Sequence, residues 1–67
     1  METIITNHKK AAKHLENAAL YHRVAARFHE ASNHYKANTR TLIALNYTSE
    51  ACSIQNEIFN QYLDTNN

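Results

Sequence analysis

The residues of this sequence that are best suited to metal binding or proton transfer are its histidines. Their imidazole nitrogens bind transition-metal ions and exchange protons near neutral pH. The chain of 67 residues contains five histidines, which are His8, His14, His22, His29 and His34. Two ligands on one helix share a face when they are three or four residues apart. No two of these histidines have that spacing, so we predict no metal site within the chain and no cofactor.

The histidines are part of a seven-residue repeat between residues 8 and 35, which reads HKKAAKH, LENAALY, HRVAARF and HEASNHY. In the first three sevens the fourth and fifth residues are alanine, and the last residue of every seven is histidine or aromatic. A period of seven is typical of a helix that packs along a narrow seam on another helix. Because His8, His22 and His29 share their column with Leu15, we interpret these histidines as packing residues rather than ligands.

Two long helices are predicted to carry this repeat. The sequence contains no glycine and no proline, and tight hairpins between strands depend on residues with positive φ. We predict an all-α fold with helix 1 over about residues 6–31, a turn at 32–34 and helix 2 over about 35–63. Such a short turn makes the helices antiparallel neighbours. Asn33 either caps helix 2 or closes helix 1 in a left-handed conformation. A break of helix 2 at residues 46–49 is the alternative architecture.

The predicted seam, within the hairpin or between two copies of it, consists of residues seven apart on both helices. Its members are His8, Ala11, Leu15, Ala18, His22, Ala25, His29, Ala44, Ala51 and Ile58. Leu45, Cys52 and Phe59 form a further apolar column on helix 2, and we interpret Cys52 as a small buried hydrophobe. Protonation of buried histidines would charge the seam, which predicts an assembly that responds to pH near about 6.

Apolar residues also fall on the outer side of the predicted hairpin, at Leu20, Val24, Leu42 and Ile43. A two-helix hairpin has no second layer to cover them, and a chain of this length forms only a thin core. We therefore predict that the hairpin pairs with a second copy to form a four-helix bundle. The same outer residues are the predicted docking face for a larger protein partner.

Several classes of protein are excluded by composition and motifs. Cys52 is the only cysteine, so the chain forms no internal disulfide. The first residues lack the basic and apolar segments of a signal peptide, and no stretch has the roughly 18–20 apolar residues of a membrane span. These features predict a cytoplasmic protein without a membrane partner. No glycine-rich phosphate loop or nucleophile–base pair is present, so we predict that the chain is not an enzyme.

Three candidate functions follow from this sequence. The first is a non-enzymatic protein–protein interaction module, a small accessory or inhibitory homodimer. The second is nucleic-acid binding: all seven basic residues precede residue 41, and clustered cations bind phosphates. The cations expected to gather at the turn end are Arg23, Arg27, Lys36 and Arg40. The third is a metal site in which histidines of one chain meet acidic residues of another.

The heptads of the form H-x-x-A-A-x, each followed by His, Tyr or Phe, and the segment FHEASNHYKA at residues 28–37 resemble a group of small, uncharacterised bacterial proteins. Those proteins are His/Ala-rich helical hairpins with a turn of the type H-E-A-G-N-H-E-K-A. Ser32 stands where that turn has glycine and Tyr35 where it has glutamate. The doubled, adjacent histidines of that group are absent here, since no two histidines of this sequence are neighbours. The same turn resembles that of a single tetratricopeptide unit. The resemblance covers about residues 8–51 and implies a helical hairpin with no particular activity.

Overall fold

The structure is a computed structural model that describes residues 2–66, with side chains for residues 2–65, and it contains two α-helices. Helix α1 spans Glu2–Glu30 and helix α2 spans His34–Asn66. They pack against each other in opposite directions, since Asn7 near the start of α1 contacts Gln61 near the end of α2. The predicted all-α hairpin is confirmed. Helix α1 begins four residues before its predicted start and ends one residue before its predicted end, whereas α2 extends beyond both predicted bounds. Helix α2 is continuous through residues 46–49.

The turn between the helices is a Schellman motif followed directly by a helix cap. The amide of Asn33 donates to the carbonyl of Phe28 at 2.8 Å, and the amide of Ser32 donates to the carbonyl of His29 at 2.9 Å. These two bonds satisfy carbonyls that the end of α1 leaves without partners. Ser32 takes the left-handed conformation, with φ of 60°. Of the two predicted roles of Asn33, closing helix 1 in the left-handed conformation is therefore wrong.

Asn33 begins α2 as its N-cap, which was the other predicted role of this residue. Its side-chain Oδ1 accepts a hydrogen bond from the amide of Lys36 at 3.2 Å, and its own carbonyl accepts the amide of Ala37 at 3.1 Å. The first turn of a helix has amides without acceptors, and an asparagine at this position supplies one. The chain thus reverses direction within three residues without glycine or proline.

The contact between the helices is built from alanine. The buried apolar residues are Ala11, Ala18, Ala25, Ala37, Ala44 and Ala51, spaced by seven on each helix. The three on α2 are fully buried, and among the described residues no large side chain is. Small side chains let two helices approach to the lower end of the ~8–10 Å range of interaxial distances. All five alanines predicted for the seam are buried in this contact, and half-buried Ile58 continues the column on α2.

The first-position residues of the repeat, which were also predicted for the seam, lie outside the contact between the two helices of one chain. His8, Leu15, His22 and His29 are all exposed, because α1 is rotated so that the seventh-position column flanks the alanines instead. The pH response expected from histidines buried in the seam has no basis at these positions in the single chain. Cys52 is exposed as well, so its interpretation as a buried hydrophobe is wrong.

The hairpin is a thin rod rather than a layered domain. Its Cα atoms extend over 52 × 14 × 12 Å, with a radius of gyration of 15.4 Å. A compact domain of the same length has a radius of gyration of about 11 Å. In the part of the chain described, neither helix is long and apolar enough to cross a membrane.

Candidate interaction surface

One broad face of the hairpin is formed by the seventh-position residues His14, Tyr21 and Phe28 of the repeat, together with Asn7, which lies seven residues before His14. Asn7 is buried, and its Nδ2 lies 3.4 Å from Glu57 Oε2 and 3.3 Å from Gln61 Oε1. At the other end, the Phe28 ring lies 5.8 Å from Lys36 Nζ and 5.6 Å from the guanidinium carbon of Arg40. Cations over an aromatic face are attracted by its electron density. The column therefore ties α1 to α2 along the whole rod.

The middle of this column is an aromatic cluster around Tyr47 of α2. The Tyr21 and Tyr47 rings stack with centroids 5.9 Å apart, and the His14 ring lies 5.8 Å from that of Tyr47. Nδ1 of His14 is buried and lies 3.3 Å from Glu50 Oε2, although without hydrogen-bond alignment. The two groups are close enough to form an ion pair when the His14 ring is protonated. The Glu50 side chain is exposed to solvent. We call this side of the hairpin the charged face, since Lys10, Glu50 and Glu57 line its ≈ 620 Å³ groove.

The opposite broad face carries exposed apolar residues from both helices, and we call it the open face. On α1 it consists of the first-position and fifth-position columns of the repeat as far as Ala26, together with Ile5, which lies seven residues before Ala12. These residues are Ile5, His8, Ala12, Leu15, Ala19, His22 and Ala26, and all of them are exposed. Ala12, Ala19 and Ala26 form a second alanine column beside the buried one, with the same spacing of seven. None of the residues that the structure describes covers this second column.

On α2 the open face continues through two adjoining columns. They consist of Thr41, Leu45, Thr48, Cys52, Gln55, Phe59 and Tyr62. Leu45 is 52% exposed and Phe59 is 58% exposed. The hydroxyls of Thr41 and Thr48 donate to the carbonyls of Ala37 and Ala44 in their own helix, both at 3.0 Å. Their hydrogen-bonding capacity as donors is therefore met without an outside partner.

A groove of ≈ 440 Å³ shows that the α1 and α2 columns share one face. His8 from α1 lines it together with Gln55, Phe59 and Tyr62 from α2. None of the fourteen residues assigned to the open face is Lys, Arg, Asp or Glu. The charged face, by contrast, carries both signs of charge. Exposed apolar residues taken singly are normal on protein surfaces, but a continuous uncharged face along the rod is typical of an interaction site.

The outer apolar residues named from the sequence do not share one face. Val24 and Ile43 are half-buried flanks of the helix contact. Leu20 is 48% exposed and Leu42 is 63% exposed, but their columns lie on different outer sides of the rod. The predicted docking face of these four residues is therefore divided, and the open face replaces it.

The four cations expected at the turn end are also divided. Lys36 and Arg40 lie over Phe28 on the charged face, whereas Arg23 and Arg27 are exposed on the outward side of α1. Spacing along one helix could show that Arg23 and Arg27 are neighbours. That spacing could not show that Lys36 and Arg40 lie over the Phe28 ring, on a different side of the rod from Arg23 and Arg27.

His29 and His34 contact each other across the turn, although their spacing in the sequence does not place them on one face of a helix. Nδ1 of His29 lies 2.7 Å from Nδ1 of His34, and the two ring planes are inclined by 39° with centroids 5.0 Å apart. At this distance one ring donates its Nδ1 proton and the other accepts it. Among the described residues, no group of three or more His, Cys, Asp or Glu side chains is placed to hold a metal ion.

Comparison with known proteins gave no match to any family model, any curated protein or any solved structure. The resemblance to His/Ala-rich hairpins therefore stays a prediction, and the function is argued from the surface itself.

Proposed function

We propose that this chain is a non-enzymatic protein–protein interaction module that pairs with a second copy of itself through the open face. The observation that supports this proposal is the continuous, uncharged face of exposed leucine, isoleucine, phenylalanine and alanine along one side of the rod. In the pair, four helices form a bundle, and the apolar side chains that a single hairpin leaves in water become its core.

The amount of exposed surface supports a need for such a partner. The single chain exposes 5077 Å², whereas a compact monomer of its 7.7 kDa mass exposes about 4,300 Å². The broad face of a rod of 52 × 14 Å offers roughly 700 Å² in projection, close to the ~800 Å² that each partner contributes to a standard interface.

A second copy fits this face better than a highly charged partner does. In a symmetric pair the same patch meets itself, so any net charge on it would be repelled by its own copy. The open face carries no formal charge apart from protonated histidine. Its alanine column at residues 12, 19 and 26 also repeats the buried column at 11, 18 and 25, which already packs closely on another helix.

The test compares two exposed leucines by light scattering. Leu45 on the open face and Leu20 outside it are 52% and 48% exposed. We expect the unmodified chain to have twice its monomer mass, Leu45→Glu to be monomeric, and Leu20→Glu to stay dimeric. A charge buried in an apolar interface without a partner carries a large desolvation cost, which explains the expected difference.

A second measurement separates loss of the interface from loss of the fold. The melting temperature of a dimer rises with protein concentration, whereas that of a monomer does not. We expect this dependence in the unmodified chain and in Leu20→Glu, and its absence in Leu45→Glu. A monomeric unmodified chain at all concentrations would refute the proposal, and so would dissociation by Leu20→Glu alone.

A further inference from the structure

We infer that the two copies of the proposed pair lie antiparallel along the rod, with α1 of one copy packed on α1 of the other through Ala12, Ala19 and Ala26. This inference rests on the proposed function and specifies how the open face meets its own copy. Its basis is the direction in which two columns of the open face point, and the change in side-chain size along those columns.

The second alanine column of α1 points to the place that a third helix takes in a four-helix bundle. The buried alanine column points at α2, and each residue of the second column follows it by one position. Successive residues of an α-helix are rotated by about 100° around its axis. Each helix of a four-helix bundle has two neighbours about 90° apart. The second alanine column therefore faces a helix of the other copy.

Helix α2 carries a corresponding column on the same side of the hairpin. Its members each follow a residue of the α2 contact column by one position, and they are Asn38, Leu45, Cys52 and Phe59. All four residues are exposed. By the same rotation of about 100° they point at the other helix that the second copy supplies.

A symmetric pair of hairpins can join these columns in two ways. With the two-fold axis along the rod, both turns lie at one end, and α1 packs on α2 of the other copy. With the axis across the rod, the turns lie at opposite ends, and each helix packs on its own copy. Neighbouring helices run in opposite directions in both arrangements, so the helix dipoles do not distinguish between them.

Side-chain size distinguishes the two arrangements. Ile5 and Phe59 lie at the end of the rod away from the turn, whereas the smaller Ala26 and Asn38 lie near the turn. Parallel copies would place the two large residues together at one end and the two small ones together at the other, so the hairpins would diverge. Antiparallel copies place Ile5 on Ala26 and Phe59 on Asn38. Pairing large side chains with small ones fills an interface evenly along its length.

The register of the pair follows from the same column of α1. When Ile5 lies beside Ala26 of the other copy, Ala12 lies beside Ala19. This contact of alanine with alanine is the one by which the two helices of a single chain already pack. The two-fold axis then passes between residues 15 and 16, close to the middle of Glu2–Glu30. The two rods therefore overlap over their full length.

The distance between spin labels at the turn tests the arrangement. Tyr35 is 80% exposed, and Cys52 is the only cysteine, so Tyr35→Cys together with Cys52→Ala carries one label per chain. We expect about 45 Å between the labels of a pair, since the turns lie at opposite ends of overlapping helices. A parallel pair would hold them within about 25 Å, the width of two helices side by side.

Disulfide cross-linking tests the contact between the α1 helices, again together with Cys52→Ala. Ala12→Cys combined with Ala19→Cys should give a covalent dimer when the protein is oxidised with diamide, because each thiol lies beside the other position in the second copy. Either substitution alone is the matched control and should stay monomeric on a non-reducing gel. Two copies of one position lie about 10 Å apart along the rod, and a disulfide needs Cα atoms within about 7 Å.

The outcomes separate this inference from the proposed function. A dimer whose labels lie within about 25 Å, or one that cross-links through Ala19→Cys combined with Leu45→Cys, would overturn the antiparallel arrangement and leave the pair itself in place. Labels about 45 Å apart without the cross-link between positions 12 and 19 would overturn the contact between the α1 helices. A monomer mass for the unmodified chain in light scattering would overturn both proposals.

Discussion

Replacing Ser32 with glycine tests the account of the turn. Ser32 has a φ of 60°, and a residue with a Cβ pays about 1–2 kcal/mol in this left-handed region. Glycine adopts this region without a steric cost. It loses more backbone conformational entropy on folding, however, and this loss offsets roughly 0.5–1 kcal/mol of the stabilisation. The net expectation is that Ser32→Gly stabilises the hairpin by about 0.5–1 kcal/mol, since the Ser32 side chain is exposed and its backbone hydrogen bond is kept.

Urea unfolding followed by far-ultraviolet circular dichroism measures this difference. The two proteins are compared at one concentration, because self-association makes stability depend on concentration. The midpoint should rise without a change in the slope of the transition, and the melting temperature should rise by about 2–8 °C.

The neighbouring residue provides a control with the opposite sign. Ala31 lies in the same turn, and its φ is negative. Ala31→Gly should therefore destabilise the chain by about 0.5–1 kcal/mol. If both glycine substitutions shift the urea midpoint in the same direction, the left-handed conformation of Ser32 does not lower the stability of the hairpin as argued.

Two further substitutions test the cap and the helix contact. Asn33→Ala removes the acceptor of the Lys36 amide and should cost about 1 kcal/mol in urea unfolding, whereas Asn33→Asp should retain most of the stability. Ala44→Leu inserts a large side chain where the residue is 0% exposed, and should cost about 1–3 kcal/mol by forcing the helices apart. An unchanged midpoint for Ala44→Leu would show that the helices do not pack as closely as described.

The helices and the turn could be predicted from the sequence because their determinants are local. The period of seven indicates a helix packed on another helix, and the polar residues at 32 and 33 interrupt that period. The predicted start of α1 at about residue 6 was late by four residues, because Thr6 and Asn7 are good cap residues. In the structure the side-chain amide of Asn7 instead contacts Glu57 and Gln61. Both partners lie on α2, so the sequence around Asn7 gives no sign of this contact.

The face that a helix turns toward its neighbour could not be predicted in the same way. A repeat of seven fixes the spacing of the columns but not which column points at the partner. By spacing alone, the column of His8 and Leu15 and the column of His14 and Tyr21 are equally good candidates for the contact with α2. One signal was available in the sequence, since the first-position and fifth-position columns from Ile5 to Ala26 contain no charged residue.

The sequence by itself determined that the chain forms two long helices with a seven-residue packing period and two adjacent alanine columns. The tertiary structure decided which alanine column is used within the chain and which faces outward, because that choice depends on the side chains of α2 opposite each column. It also brought His29 and His34 together. They are five residues apart across a turn, where the spacing rules of a continuous helix no longer apply.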